Sequence, residues 1–464
     1  MYSLYMPVSR REFVATAIAA ALATRGAGAS SIPWLDTYRE RAARLIGAAL
    51  ADSFAWNRLA ELTDTFGHRL SGSQALEDTI AWAVRTMRDD GLENVRAEPV
   101  KVPRWVRGRE SLEIVSPYPN RLVMLGLGNS VGTPEGGIEA EMLAVSGFEE
   151  LDRRAHEAAG RIVLFDVPFS DYGATVTYRT SGPSRAARAG AVACLVRSVG
   201  VEGLRTPHTG MLSYRPDAPQ IPAAAIPVED ALRLQRLAGR GERVRLRLSM
   251  DAAMQGDADS ANVVAEIAGR ERPHEIVVVG GHLDSWDVGT GAIDDGGGCV
   301  VAWEAVRLMK ALDLRPRRTV RVVLFTNEEN GLRGGLAYRD QHRAELGDHV
   351  LMIESDGGVF RPNGFGFNGN DRARATVREV ATLLSGIQAS AVGPSGGGAD
   401  IGPSVQAAQV PAMALDVDGS KYFLFHHTAA DTVDKLEPLD VARCTAAVAV
   451  MSYVVAELPE RLGS

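Results

Sequence analysis

An α/β fold built on a mostly parallel sheet, with helices on both faces, is what this sequence predicts, and three observations carry it. Near-continuous apolar runs at 262–268, 275–280, 319–325, 349–353 and 411–415 alternate with helical patterns. Strands that are apolar on both sides belong to sheets covered on both faces. Three of those runs also end in histidine or carboxylates, the position at which open α/β sheets bind their ligands.

The elements follow in order. Trp56, Leu59, Leu62 and Phe66 recur at helical spacing. Ile80, Val84 and Met87 mark a second helix over 75–90 that Gly91 stops, and 95–102 reads as a strand. Between 115 and 250 short apolar runs at 122–125, 162–165, 191–196 and 223–228 alternate with Gly- and Pro-rich turns, the pattern of a compact, β-rich inserted module with a few helices. Further on, helices are expected at 297–312, with Val301, Ala305, Leu308 and Leu312 on one face, and at 335–345, 374–384 and 439–458. The chain thus divides into a leader (1–29), a first part of the main domain (30–114), the inserted module (115–250) and the main part of the domain (251–464), which carries the candidate site.

The leader places Arg10-Arg11 before an apolar run from Phe13 to Ala23, and Ala27-Gly28-Ala29 offers the small residues of a cleavage site. That run is shorter than the roughly 20 residues a bilayer span needs. It predicts a twin-arginine signal and an exported protein, periplasmic or secreted, free of the membrane after cleavage. Such a route carries folded proteins, which suits an enzyme that loads metal before leaving the cytoplasm. No later stretch is expected to be long and apolar enough for a membrane helix. The formal charge of the 464 residues is −8. Arg10, Arg11 and Arg25 against Glu12 give the leader +2, so the remainder stands at −10, which disfavours nucleic acid as a partner. Cys194, Cys299 and Cys444 are the only cysteines, too widely spaced for a disulfide framework or a thiolate metal site, and read as buried small hydrophobes.

The chemistry lies at the strand ends. The run 276–280 leads into Gly281-His282-Leu283-Asp284, 320–325 into Thr326-Asn327-Glu328-Glu329, and 350–353 into Glu354-Ser355-Asp356. Asp294 and Asp295 lie between the first strand and the next helix, and His426 and His427 follow Tyr422-Phe423-Leu424-Phe425. Imidazoles with several carboxylates suit zinc, or manganese or cobalt. Two His and three acids can hold two ions if one carboxylate bridges them, so that the ions polarise a peptide carbonyl and acidify the attacking water.

The runs GGHLDSWDVGTGAIDDGGG, TNEENG, ESDGG and FHHTAADT resemble zinc exopeptidase family M28, and VPRWVRG, GLGNSVGTP, GRIVLF, YRTSG and PHTG extend the resemblance over essentially the whole chain beyond the leader. It implies two Zn²⁺ per chain and a peptide substrate, hydrolysed by a water held between the ions. One zinc would be held by His282, Asp294 and Asp356, the other by Asp294, Glu329 and His427, with Glu328 as general base. It also implies a cis peptide between Asp294 and Asp295, and a homodimer. The module resembles the protease-associated domain of several relatives, either a lid over the cleft or a dimer platform.

Around this set, Asp284 is a candidate to fix the tautomer of His282, Asp431 to support His427, and Asp295 to buttress the site. His426 is expected to pack rather than face substrate, since adjacent residues diverge in direction. Asp400, at the end of Gly396-Gly397-Gly398-Ala399, and Tyr422 are further substrate-contact candidates. Carboxypeptidase and aminopeptidase action both fit, because no residue can be assigned to a substrate carboxylate or ammonium. A glutaminyl-cyclase-like aminoacyltransferase and a receptor-like binding protein are the competing functions; the full ligand set disfavours both.

Overall fold

A computed structural model describes residues 32–464; the leader lies outside the described residues. The main sheet has eight strands in the spatial order Glu93–Val106, Ala253–Ile267, Arg318–Phe325, Arg272–His282, His349–Glu354, Ala412–Val417, Pro362–Asn368 and Ala391–Gly393. The four central strands, from Arg318–Phe325 to Ala412–Val417, run parallel, and antiparallel pairs flank them. Every residue of Arg318–Phe325 and His349–Glu354 is buried; most are apolar, and Arg318 and Arg321 are paired with Glu275 and Glu266.

Helices Asp36–Ala51, Phe54–Phe66, Gln74–Asp89, Gly297–Ala311, Asp371–Ala381 and Pro438–Glu457 contribute to the larger core, while Tyr338, Ile401 and Val405 of the opposite side close over Val264, Val278 and Val323. Against expectation, Pro438–Glu457 is long and apolar enough to cross a membrane. From Val441 onward all its residues but Arg443 are nonetheless buried, packed on Gly297–Ala311 and Asp36–Ala51, so the apolar circumference belongs to a central core helix. All three cysteines are buried and free.

A second eight-stranded sheet is built between Glu110 and Met250. Its strands Ile138–Val145, Ile162–Phe165, Ala193–Arg197 and Ala223–Ile226 pair in parallel, with helices such as Tyr172–Thr180 between them and Val228–Gly239 after the last. The β-rich module expected here is therefore itself α/β. The few helices expected there are present, and one as short as Gly182–Arg188 carries too few turns to show a 3.6-residue period of its own.

Candidate metal centre

Register brings the site together. In the parallel ladder His282 pairs with Phe325, and Gly280 with both Val323 and Glu354. The residues just beyond those positions, Thr326–Glu329 and Ser355-Asp356, therefore leave the sheet at the same edge as His282. Gly281 and Gly298 keep that edge open for Asp295, whose carboxylate would meet a Cβ at either position.

The imidazole of His282 is buried, with Nε2 3.1 Å from Asp294 Oδ1 and 3.5 Å from Asp356 Oδ1. His427 Nε2 lies 3.2 Å from Asp294 Oδ2 and 3.1 Å from Glu329 Oε2. Asp294 thus stands between the two histidines, one oxygen to each. Asp356 is the most open of the five, its side chain 25% exposed. Glu328 is half-buried on the turn that also carries Glu329. The peptide between Asp294 and Asp295 is cis.

The neighbours are arranged differently from expectation. The main-chain oxygen of Asp284, not its carboxylate, accepts from His282 Nδ1 at 3.0 Å; Asp284 Oδ1 is 3.8 Å away. The Asp284 carboxylate instead accepts from Glu328 N at 3.0 Å, Glu329 N at 3.3 Å and Ser71 Oγ at 3.1 Å, fixing the turn that presents both glutamates. Asp431 does not reach His427. It accepts from the N–H groups of Ala292, Ile293 and Asp294 at 2.8, 2.7 and 3.1 Å and so aims Asp294. Leaving those donors unpaired would cost on the order of 1–3 kcal/mol each, enough to set the local path. Asp295 accepts from His282 N and Gly298 N, both at 3.1 Å.

His426 does not diverge from His427: the rings stack with centres 3.6 Å apart, and His426 Nε2 is 3.6 Å from Asp294 Oδ2. His427 has φ +60°, and this left-handed residue curls the chain so that both imidazoles face Asp294. Tyr422 is half-buried with its ring 5.0 Å from that of His426. Asp400 is buried, its N–H 3.4 Å from Glu354 Oε1, and its carboxylate accepts no hydrogen bond among the described residues. Gly396, Gly397 and Gly398 line a cavity of about 480 Å³ with Ile401, Val405 and Ala412, none of which belongs to the histidine and carboxylate cluster.

Sequence reasoning missed the buried arginines. Arg69 donates to the carbonyls of Gly67, Leu283, Thr290 and Gly291 and clamps the loop that leads to Asp294. Arg179 and Thr209, within YRTSG and PHTG, reach His427 itself. Only the quoted motifs could have pointed to them.

The donor set fits a pair of cations on physical grounds. Each Nδ1 faces a carbonyl oxygen, Asp284 O at 3.0 Å and Thr209 O at 3.2 Å, so each ring proton belongs on Nδ1. Both Nε2 atoms then face carboxylate oxygens at 3.1–3.2 Å, contacts that need either a proton or a cation between the two lone pairs. Asp294 Oδ2 accepts no hydrogen bond among the described residues. Burial holds His427 below the ordinary imidazole range against the pull of Asp294. Three carboxylates balance most of the charge of two divalent ions, and nitrogen with oxygen donors suits zinc.

Comparison with known proteins agrees with this geometry. Residues 262–452 match the family described as Peptidase family M28. The chain is 45% identical to Carboxypeptidase Q of Mus musculus over 431 residues, 92% of this chain and 92% of that protein. The crystal structure of a Peptidase M28 precursor from Shewanella amazonensis SB2B superposes with a TM-score of 0.88 at 35% identity, covering 92% of this chain and 99% of that one. BSAP, a zinc aminopeptidase from Bacillus subtilis, shares the fold at 20% identity and a TM-score of 0.67, over 88% of this chain and 98% of its own. The chain belongs to the zinc exopeptidases of peptidase family M28.

Proposed function

We propose that this exopeptidase carries two zinc ions and acts as a carboxypeptidase on dipeptides or short peptides with a free C-terminal carboxylate. The observation that carries the reading is the convergence of His282, Asp294, Glu329, Asp356 and His427, with Asp294 offering one oxygen to each imidazole at 3.1 and 3.2 Å. In this reading His282, Asp294 and Asp356 would hold one zinc and Asp294, Glu329 and His427 the other. Ions so placed supply Lewis acidity toward a peptide carbonyl and acidify water at neutral pH.

Glu328 does the proton work: it takes the proton of the attacking water and returns it to the leaving amine. Its carboxyl is pushed up to about 8, by burial first and then by the charges of Asp356, Asp294 and Asp284, against the opposing pull of His282. A carboxyl whose neutral form burial favours can hold the proton in transit, and cations bound beside it would favour the carboxylate for the next abstraction. Tyr422 keeps its proton, since burial and then the charges of Asp294, Asp356 and Glu329 hold the phenol well above its usual range. It is therefore suited to donate to a substrate oxygen, with His426 beside it. The leader over 1–29 supports an exported enzyme.

The preference for the C-terminus follows the name of the 45%-identical relative. In a panel of short peptides blocked at one end, N-acetylated peptides should be cleaved and C-amidated ones spared. Turnover of the amides with the acetylated peptides untouched would make the enzyme an aminopeptidase.

Zinc affinity should rise with pH. Burial opposes charge on His282, but the facing carboxylates of Asp294 and Asp356 outweigh it and raise the pKa well above 6.5 in the metal-free chain. The proton on Nε2 is thus retained through neutral pH, and loading must displace it. Below that raised pKa, each unit fall in pH should weaken zinc by up to about tenfold per proton displaced. Zinc titrations from acid to alkaline pH read this directly; an affinity flat across that range contradicts a histidine ligand in competition with protons.

A further inference from the structure

Four motifs of the earlier half of the chain, which the peptidase chemistry above leaves unused, meet behind a single residue of the metal cluster. YRTSG supplies Arg179, PHTG supplies Thr209, VPRWVRG supplies Arg107 and GLGNSVGTP supplies Gly126. Thr209 N donates to His427 O at 3.0 Å, and His427 Nδ1 donates to Thr209 O at 3.2 Å, a reciprocal pair of bonds across the two sheet units. Arg179 is buried and, among the described residues, pairs with no carboxylate. Its Nη1 donates to the same Thr209 oxygen at 3.2 Å and lies 3.4 Å from His427 Nδ1, while Nη2 donates to Tyr172 Oη at 2.8 Å. Thr209 is braced in turn: its Oγ1 donates to Gly126 O at 2.8 Å and accepts from Arg107, which also grips Asp287 of the main unit through two bonds of 2.6 and 2.8 Å.

His282 is held otherwise. Its Nδ1 partner is the oxygen of Asp284, two residues away on its own loop. His427 also needs outside support, because a non-glycine residue at φ +60° is strained. The two histidines therefore differ in what holds them: His282 is supported from its own loop, and His427 from the Glu110–Met250 unit.

We propose that Arg179 is a positioning residue for His427, and that zinc binding on the His427–Glu329 side is coupled to docking of the Glu110–Met250 unit. This rests on the two-zinc reading above. The unit is then part of the metal-holding apparatus and not only a cover. Coupling is reciprocal, so zinc must tighten the Thr209–His427 junction as much as the junction tightens zinc.

The test uses the full-length zinc-loaded enzyme and its Arg179→Ala and Arg179→Lys variants. Zinc per chain is counted after dialysis against a weak chelator, and amide hydrogen exchange is followed at residues 207–211. The parent should keep two zinc ions and the alanine variant one, with the second bound ~10–100-fold more weakly, as expected for losing an outer support of a ligand. The lysine variant should fall between. In the parent, removing zinc should speed exchange at Thr209, and saturating zinc should slow it again in the alanine variant. Two zinc ions bound by Arg179→Ala at parental affinity would overturn the proposal, as would exchange at Thr209 in the parent that ignores zinc, a measurement that needs no variant to fold. A parent that never takes up a second ion removes the two-zinc reading itself, which distinguishes the two failures.

Discussion

Replacing Glu328 by glutamine should lower kcat by about 10²–10⁴-fold, the range that general acid–base catalysis contributes, while zinc content and melting temperature stay at parental values. Glutamine keeps the length and shape of the side chain, and the bond from its N–H to Asp284 at 3.0 Å is made by the backbone. The turn that presents Glu329 is thus undisturbed, and what disappears is a site that can take and return a proton. Glu328→Ala should lose as much turnover, because the missing function is chemical and not steric. Steady-state assays beside elemental analysis check this. Parental turnover in either variant would remove Glu328 from the mechanism, and loss of zinc in the glutamine variant would place it among the ligands instead.

Asp294→Asn should strip metal as well as activity. Asp294 faces both histidines, through Oδ1 to His282 and Oδ2 to His427. An amide at this position removes a negative charge shared by two cations. It also places an NH₂ within 3.1–3.2 Å of an imidazole lone pair, so the cluster can close on itself by hydrogen bonding with no ion present. Both effects act in the same direction. Zinc should fall from two per chain to one or fewer after dialysis, and turnover should fall at least as far as in Glu328→Gln. Elemental analysis of the folded variant decides it: zinc unchanged from the parent would reject the shared-carboxylate role.

How much of this was legible in the sequence depended on whether a residue's neighbours are set by local pattern. His282, Glu328, Glu329 and Asp356 each follow an apolar run, and parallel strands of matched length deliver such residues to one edge whatever else the fold contains. The layers behind them are contacts between segments far apart in the chain. Asp431 was a candidate to support His427, yet it binds the main chain of 292–294, some 137–139 residues away. His426 was expected to point away from His427, as neighbours on extended chain do, and only the left-handed turn at His427 brings the rings together. Arg179 and Thr209 sit in a part of the chain whose composition says β-rich module and nothing about a metal. The strand Pro362–Asn368 went unread because Gly364 and Gly366 alternate with Phe365 and Phe367, erasing the polar half of the alternation.

Diffraction from zinc-loaded crystals at the zinc absorption edge tests the central claim most directly. Two anomalous peaks roughly 3.5–4 Å apart are predicted, one among His282, Asp294 and Asp356 and the other among Asp294, Glu329 and His427, with a carboxylate oxygen of Asp294 touching each. A single peak bound away from Asp294, or no peak within this cluster, would contradict it.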